Sequence, residues 1–144
     1  MSLKDGTKKM SKSELSDLSR INLTDDKDLI INKIKKAKTD PLPLPSSVNE
    51  LNERPEAKNL LGIYSSITNS TIDKTVNEFN GKNFSEFKDK LSQVLVEKIS
   101  PISQEIKKLI NDKGFLDKIL LDGHKKANKI ASDKVKKMQE IVGF

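Results

Sequence analysis

A small group of lysine and serine side chains near the start of the sequence has the composition of a phosphate-binding loop. Its members are Lys9, Met10, Ser11, Lys12 and Ser13, and Gly6 stands shortly before them. Two ammonium groups and two hydroxyl groups can supply positive charge and hydrogen-bond donors to phosphate oxygens. The segment is polar and has no periodic apolar face, so it is predicted to be a loop. Taken alone, these five residues also fit a disordered basic loop.

The elements that must hold this loop are predicted to be helices. The first helix is expected to begin after Thr24, a candidate N-cap, and to carry Ile30, Ile34 and Ala37 on one face. Lys33 belongs to a group of four lysines near the end of this helix. Those lysines fit complementation of the helix dipole and contact with RNA equally well.

Three prolines between residues 41 and 45 alternate with leucine and force an extended connection. This connection is the best candidate for an internal boundary, and a proline-motif ligand is a weaker alternative. Four further features predict the remaining helices: Pro55 at a first helical position, a short helix ending near residue 79, a helix that continues past Pro101, and a last helix after a turn at residues 111–114. The predicted fold is mainly α, an antiparallel helical bundle.

Composition excludes several kinds of site. The chain has 144 residues, no cysteine and a single histidine, His124, so disulfides, thiolate metal sites and multi-histidine zinc sites are excluded. No protein-bound metal is predicted. The net charge is +6, and the basic excess lies in residues 1–40 and 104–144, which favours polyanion partners. No apolar run is long enough to span a bilayer, so a cytoplasmic location without membrane contact is expected.

Residues 9–13 read KMSKS, the second signature of class I aminoacyl-tRNA synthetases. Further segments extend the likeness along the chain: residues 1–13, 19–26, 34–40, 55–64, 122–127 and 141–144. With these segments in this order, the sequence resembles bacterial-type tryptophanyl-tRNA synthetases. The other class I signature, a His-x-Gly-His-like motif, is absent from this sequence. The resemblance therefore covers only the C-terminal part of such an enzyme.

The resemblance implies a division of the chain and roles for the loop. Residues 1–23 would be the KMSKS loop and the exit from a Rossmann catalytic domain, and residues 24–144 a helical anticodon-binding-type domain. Lys12 and then Lys9 are the expected catalytic groups, which contact pyrophosphate and the transition state. All of residues 9–13 would bind ATP, with Met10 either near the adenine or anchoring the loop in the core.

The resemblance also implies partners. The full-length protein would be a homodimeric tryptophan–tRNA ligase using ATP with Mg²⁺, L-tryptophan and the tRNA for tryptophan. Lys125, Lys126 and Lys129 are candidate tRNA contacts, although solvated lysines at helical spacing explain them as well. This chain alone is expected to be monomeric and inactive, because most of the catalytic core is missing. The alternative is a stand-alone helical RNA-binding or scaffold module without catalysis.

Overall fold

The structure is a computed structural model that describes residues 1–143. Its regular elements are helices, and those residues include no β-strand, only an isolated bridge between Ser2 and Asp5. The five α-helices are α1 (Lys27–Lys36), α2 (Pro55–Thr68), α3 (Ile72–Phe79), α4 (Phe84–Asn111) and α5 (Lys113–Val142), with 3₁₀ turns at Asp17–Ser19 and Asn49–Asn52. The mainly α fold predicted from the sequence is confirmed.

Helix α1 begins later than the sequence suggested. Its N-cap is Asp26, whose side chain accepts a hydrogen bond from the Leu29 amide at 2.9 Å, so the prediction of Thr24 as the cap is wrong. An aspartate caps a helix at least as well as a threonine, and the buried Asp25 stands between the two candidates. Asp25 is engaged elsewhere, which leaves its neighbour Asp26 at the helix end.

Helices α2 and α3 begin and end where the local chemistry predicts. Pro55 occupies the first turn of α2, where its missing N–H costs nothing. Helix α2 ends at Asn69, which has φ of 54° in the left-handed region that asparagine tolerates. Thr71 caps α3 by accepting a hydrogen bond from the Lys74 amide. The predicted start of α2 at Pro55 and the predicted end of α3 near residue 79 are both confirmed.

The core lies within residues 1–104. Three aromatic rings form its centre: Tyr64 meets Phe79 edge-on at 4.9 Å between ring centroids, and Phe79 meets Phe87 at 4.8 Å. Edge-on pairs of this kind add to the free energy gained by burial. The Tyr64 hydroxyl donates to Glu78 at 3.1 Å, and burial raises the pKa of that hydroxyl. Aliphatic side chains from α1, α2 and α4 complete this core.

The proline-rich connection is packed inside this region. Leu44 and Pro45 are buried, and the Leu44 amide donates to the Lys82 carbonyl at 2.8 Å. Asp40 pairs with Arg54, whose Nε lies 3.1 Å from the carboxylate. The segment lies outside the helices, but the prediction of an internal boundary here is wrong, because Leu44 is part of the core and the compact units divide after Gln104.

The chain divides into two compact units, Met1–Gln104 and a second that begins at Glu105. Helix α4 continues past Pro101, as predicted, and α5 runs through Gly123 without interruption. The predicted apolar periodicity of α5 is present, but none of its described residues is buried. The division of the chain at residue 23 concerns a longer protein and stays a prediction. Among the helices described, none is long and apolar enough to cross a membrane.

Candidate phosphate-binding loop

The base of the loop is fixed by backbone hydrogen bonds. The Ser2 amide donates to the Lys8 carbonyl and the Leu3 amide donates to the Ser19 carbonyl, both at 2.8 Å. The Leu3 carbonyl accepts from the Lys38 amide, also at 2.8 Å, and the Leu3 side chain is buried in the core. The chain before the loop is therefore bonded to the chain after it and to the end of α1.

Gly6 allows this base to lie directly against α2. A Cβ atom at this position would lie 2.5 Å from the Pro55 carbonyl oxygen, which real side chains do not tolerate. The Asn59 side chain of α2 donates to the Ser2 carbonyl at 3.0 Å, which adds a second link to that helix. An open cavity of about 550 Å³ lies beside this contact, between Met1 and the exposed face of α2 near Ile67. Only glycine fits at position 6 because the partner is backbone.

The five motif residues extend from this base into solvent. Lys9, Met10, Ser11, Lys12 and Ser13 are all exposed. Ser11 and Ser13 hydroxyl oxygens lie 2.9 Å apart, and the Ser13 amide donates to Ser11 Oγ at 3.3 Å. Met10 is 41% exposed and lies outside the core, so the interpretation of Met10 as a core anchor is not supported.

Neither motif lysine has a counterion in the part of the chain that the structure describes. The ion pairs found there include Lys8 with Asp5 at 3.5 Å, but none with Lys9 or Lys12. An exposed ammonium on a flexible stem is a mobile point charge. Two of them beside two hydroxyl donors can therefore bind an approaching phosphate without first breaking an existing pair.

The chain leaving the loop is held by a second group of polar contacts. Arg20 donates from its guanidinium to the Glu14 carbonyl at 3.2 Å and pairs with Asp17 at 3.2 Å. Asn22 donates from its amide side chain to Asp17 at 2.9 Å. These contacts start at Glu14, directly after the last motif residue.

A buried ammonium lies behind these contacts, and the sequence analysis missed it. Lys33 is fully buried, with Nζ 2.6 Å from a carboxylate oxygen of Asp17 and 2.6 Å from one of Asp25. The hydrogen bond from Lys33, together with that from Asn22, holds the pKa of Asp17 below its ordinary value. Lys33 cannot contact RNA, and complementation of the helix dipole is not its main role. The available signal was position: Lys33 lies between Ile30 and Ile34 on the inward stripe.

The candidate tRNA-binding lysines lie on α5. Lys125, Lys126 and Lys129 are exposed, and residues four apart on a helix lie on the same face. Lys118 and Lys136 of the same helix are also exposed and fall at seven-residue spacings from Lys125 and Lys129. The single histidine, His124, is exposed on the same helix. The structure places these groups on one helix and does not test their role.

The fold and the loop together define a class of protein. An exposed KMSKS loop on a fixed base, followed by a helical domain, is the arrangement expected of the C-terminal part of a class I aminoacyl-tRNA synthetase. The family model described as tRNA synthetases class I (W and Y) matches residues 1–100, which is more than half of the chain. The chain belongs to this family.

Individual relatives agree with the tryptophan branch. The chain is 49% identical over all 144 residues to the tryptophan–tRNA ligase of Mesorhizobium japonicum, 50% identical to that of Agrobacterium fabrum, and 48% identical to that of Rickettsia felis. It covers 41% of the first two and 43% of the third, so it spans less than half the length of these relatives. The solved structure of tryptophanyl-tRNA synthetase from Mycoplasma pneumoniae has the same fold over 100% of this chain and 43% of its own chain, with a TM-score of 0.78 at 22% identity.

Proposed function

We propose that this chain supplies the ATP-phosphate loop and the tRNA-binding helical domain of a tryptophan–tRNA ligase. The observation that carries the proposal is the exposed loop of residues 9–13, whose two lysines have no counterion among the described residues and whose base is bonded to the core. Similarity to tryptophan–tRNA ligases over the full length of the chain supports the same activity. A stand-alone RNA-binding or scaffold module is not favoured, because these relatives are ligases.

The proposed chemistry is activation of L-tryptophan by ATP. The tryptophan carboxylate attacks the α-phosphorus, a new P–O bond forms, and the bond to the β-phosphate oxygen breaks to release pyrophosphate. Negative charge accumulates on the leaving group, where Lys12 and then Lys9 would stabilise it. The hydroxyls of Ser11 and Ser13 would donate to phosphate oxygens. Exposure of the loop allows it to close over ATP and reopen for release.

Magnesium enters this scheme as part of the ATP substrate. Residues 9–13 contain lysine and serine but no carboxylate, so the loop offers hydrogen-bond donors to phosphate oxygens and lacks the carboxylate that a protein Mg²⁺ site usually includes. The tryptophan site and the remainder of the ATP site would belong to the part of the relatives that this chain does not cover. We therefore infer that this chain alone is inactive. The resemblance to tryptophanyl-tRNA synthetases also supports a cytoplasmic homodimer for the full-length enzyme and a monomer for this chain.

The test of the loop is Lys12→Ala in the full-length enzyme, compared with Lys98→Ala. Lys98 is an exposed lysine of α4 and serves as the matched control for loss of one positive charge. Removing a transition-state charge contact is expected to lower kcat for ATP–pyrophosphate exchange by about 10²- to 10³-fold, with the control unchanged. Equal rates for the two variants would reject the role of Lys12, and robust exchange by this 144-residue chain alone would contradict its predicted inactivity.

The proposed tRNA contact is tested by binding. Lys125, Lys126 and Lys129 would contact tRNA phosphates, so the triple alanine variant should weaken binding and reduce its dependence on salt. The measurement compares tryptophan tRNA with the same tRNA carrying an altered anticodon, at two salt concentrations. Anticodon-dependent, salt-sensitive binding supports a recognition domain. Equal binding to both tRNAs would show that this domain, without the rest of the enzyme, does not recognise the anticodon.

A further inference from the structure

The polar contacts on either side of the motif stop at its boundaries. On the entry side, the Lys8 carbonyl accepts from Ser2, and the Lys8 amide donates to the Asp5 carbonyl at 3.1 Å. On the exit side, the Glu14 carbonyl accepts from Arg20 at 3.2 Å. Residues 9–13, which lie between these two points, have only the local contact between two serines. The segment free to move is therefore the motif itself.

The exit contacts converge on one buried side chain. Lys33 belongs to α1, whose apolar residues Ile30 and Ile34 are fully buried in the core, so its ammonium has little freedom to move. That ammonium contacts Asp25 at 2.6 Å on one side and Asp17 at 2.6 Å on the other. Asp25 is buried, whereas the Asp17 side chain is 48% exposed and belongs to the exit of the loop.

Asp17 connects the buried ammonium to the chain that leaves the loop. Its second carboxylate oxygen accepts from Asn22 at 2.9 Å and pairs with Arg20 at 3.2 Å, and Arg20 in turn holds the Glu14 carbonyl. A displacement of Asp17 would therefore be passed on to Glu14, next to Ser13. The Asp17 carboxylate is half-exposed, and Lys33 keeps its buried partner Asp25 when Asp17 is replaced, so the contacts of Asp17 position the loop exit more than they stabilise the core.

We propose that Lys33 is a positioning residue that fixes the exit of the KMSKS loop through Asp17, so that the loop closes and reopens on two fixed ends. The proposal rests on the proposed function of the loop for its kinetic consequence, but not for its structural one. Lys33 does not touch substrate. Lys33 instead affects the positions of Lys12 and Ser13 relative to bound ATP. Small errors in the position of a catalytic group reduce reaction rates strongly.

The structural part is tested on this 144-residue chain by amide hydrogen exchange. Asp17→Ala should accelerate exchange at residues 14–19, while Asp73→Ala, an exposed aspartate of α3 without an ion pair among the described residues, should leave those amides unchanged. Neither variant should alter the slowest exchanging amides of α2 and α4. Unchanged exchange at residues 14–19 in Asp17→Ala would overturn the proposal.

The kinetic part is tested in the full-length enzyme. Asp17→Ala should raise KM for ATP or lower kcat for pyrophosphate exchange by on the order of ten- to a hundredfold, with KM for tryptophan unchanged. Asp17→Glu, which keeps the carboxylate, should recover part of the loss. The control Asp73→Ala should match the wild type. Normal ATP kinetics in Asp17→Ala would overturn the positioning role even if Lys12→Ala had abolished activity.

A double-mutant cycle separates positioning from folding. Lys33→Met alone would leave Asp25 as a buried, uncompensated charge, so it is combined with Asp25→Asn, which keeps an oxygen for the Asn22 amide. This double variant should show the same ATP defect as Asp17→Ala, and adding Asp17→Ala to it should cause no further loss. Additive losses would overturn the proposal. Normal activity of the Lys12→Ala enzyme would instead reject the proposed function of the loop. Amide hydrogen exchange in Asp17→Ala would still decide whether Asp17 fixes the loop exit.

Discussion

The two compact units of this chain differ in what they do with similar helical sequence. Residues 1–104 bury sixteen hydrophobic side chains, from Leu3 to Ile99. From Glu105 to Gly143 no described residue is buried, although α5 carries a regular apolar stripe that includes Leu120 and Met138. Both units therefore have helices with a periodic apolar face, but only the first unit buries that face.

The difference shows that an amphipathic pattern predicts which face of a helix is apolar, but not which element packs against that face. Helices α2, α3 and α4 meet at Tyr64, Phe79 and Phe87, and apolar residues of α1 belong to the same core. No described residue of α5 is buried, so its apolar stripe does not contribute a core, although most helical stability in proteins comes from packing an apolar face. The loop base belongs to the packed unit, which explains why its hydrogen bonds can fix the loop ends.

The largest expected effect comes from comparing one side chain of each unit. Phe87 is fully buried, whereas Met138 is 67% exposed. Phe87→Ala should reduce the free energy of unfolding by about 3–5 kcal/mol through lost burial and a cavity. Met138→Ala should change it by no more than about 0.5 kcal/mol. Urea unfolding followed by fluorescence of Tyr64, the single tyrosine in a chain without tryptophan, reports on the packed unit. A cost above about 2 kcal/mol for Met138→Ala would show that α5 is buried in solution.

Two glycines offer a comparison of intermediate size. Gly6→Ala places a Cβ 2.5 Å from the Pro55 carbonyl oxygen and should destabilise the packed unit by about 1–3 kcal/mol. Gly123→Ala meets no atom within 4 Å in the middle of α5, and should stabilise that helix by about 0.5–1 kcal/mol. Urea midpoints for the first variant and circular dichroism for the second measure these changes. Effects of the same sign would contradict the contrast between a close backbone contact and an open helix position.

The smallest expected effect is the dependence of the packed unit on acid. Hydrogen bonds from the Thr7 hydroxyl and amide hold the pKa of Asp5 below its ordinary value of 3.8. Because the folded pKa is lowered, the stabilisation is fully present above pH 3.8 and is lost as the pH falls through the folded value. Asp5→Asn should therefore show a shallower loss of stability below pH 3.8 in acid titrations of urea-unfolding midpoints. A slope identical to wild type would show that Asp5 does not contribute.

Much of the fold could be predicted from local interactions in the sequence. Pro55 predicted the start of α2 correctly, and Thr71 caps α3, because the groups that satisfy a helix end lie within a few residues of it. The exposed loop at residues 9–13 could also be predicted, since a polar, solvent-exposed segment does not depend on contacts with distant residues. The first cap was wrongly predicted at Thr24 because Thr24 and Asp26 are both residue types that cap helices and stand only two positions apart.

The sequence by itself determined the helical class, most helix boundaries, the exposed loop and the family to which the chain belongs. Tertiary structure alone decided that Lys33 points inward to Asp17 and Asp25, that Gly6 touches the backbone of α2, and that Leu44 joins the core. The physical reason is range. Caps and periodicity arise from interactions within about a turn of helix, whereas a buried ion pair and a close backbone contact depend on residues that only folding brings together.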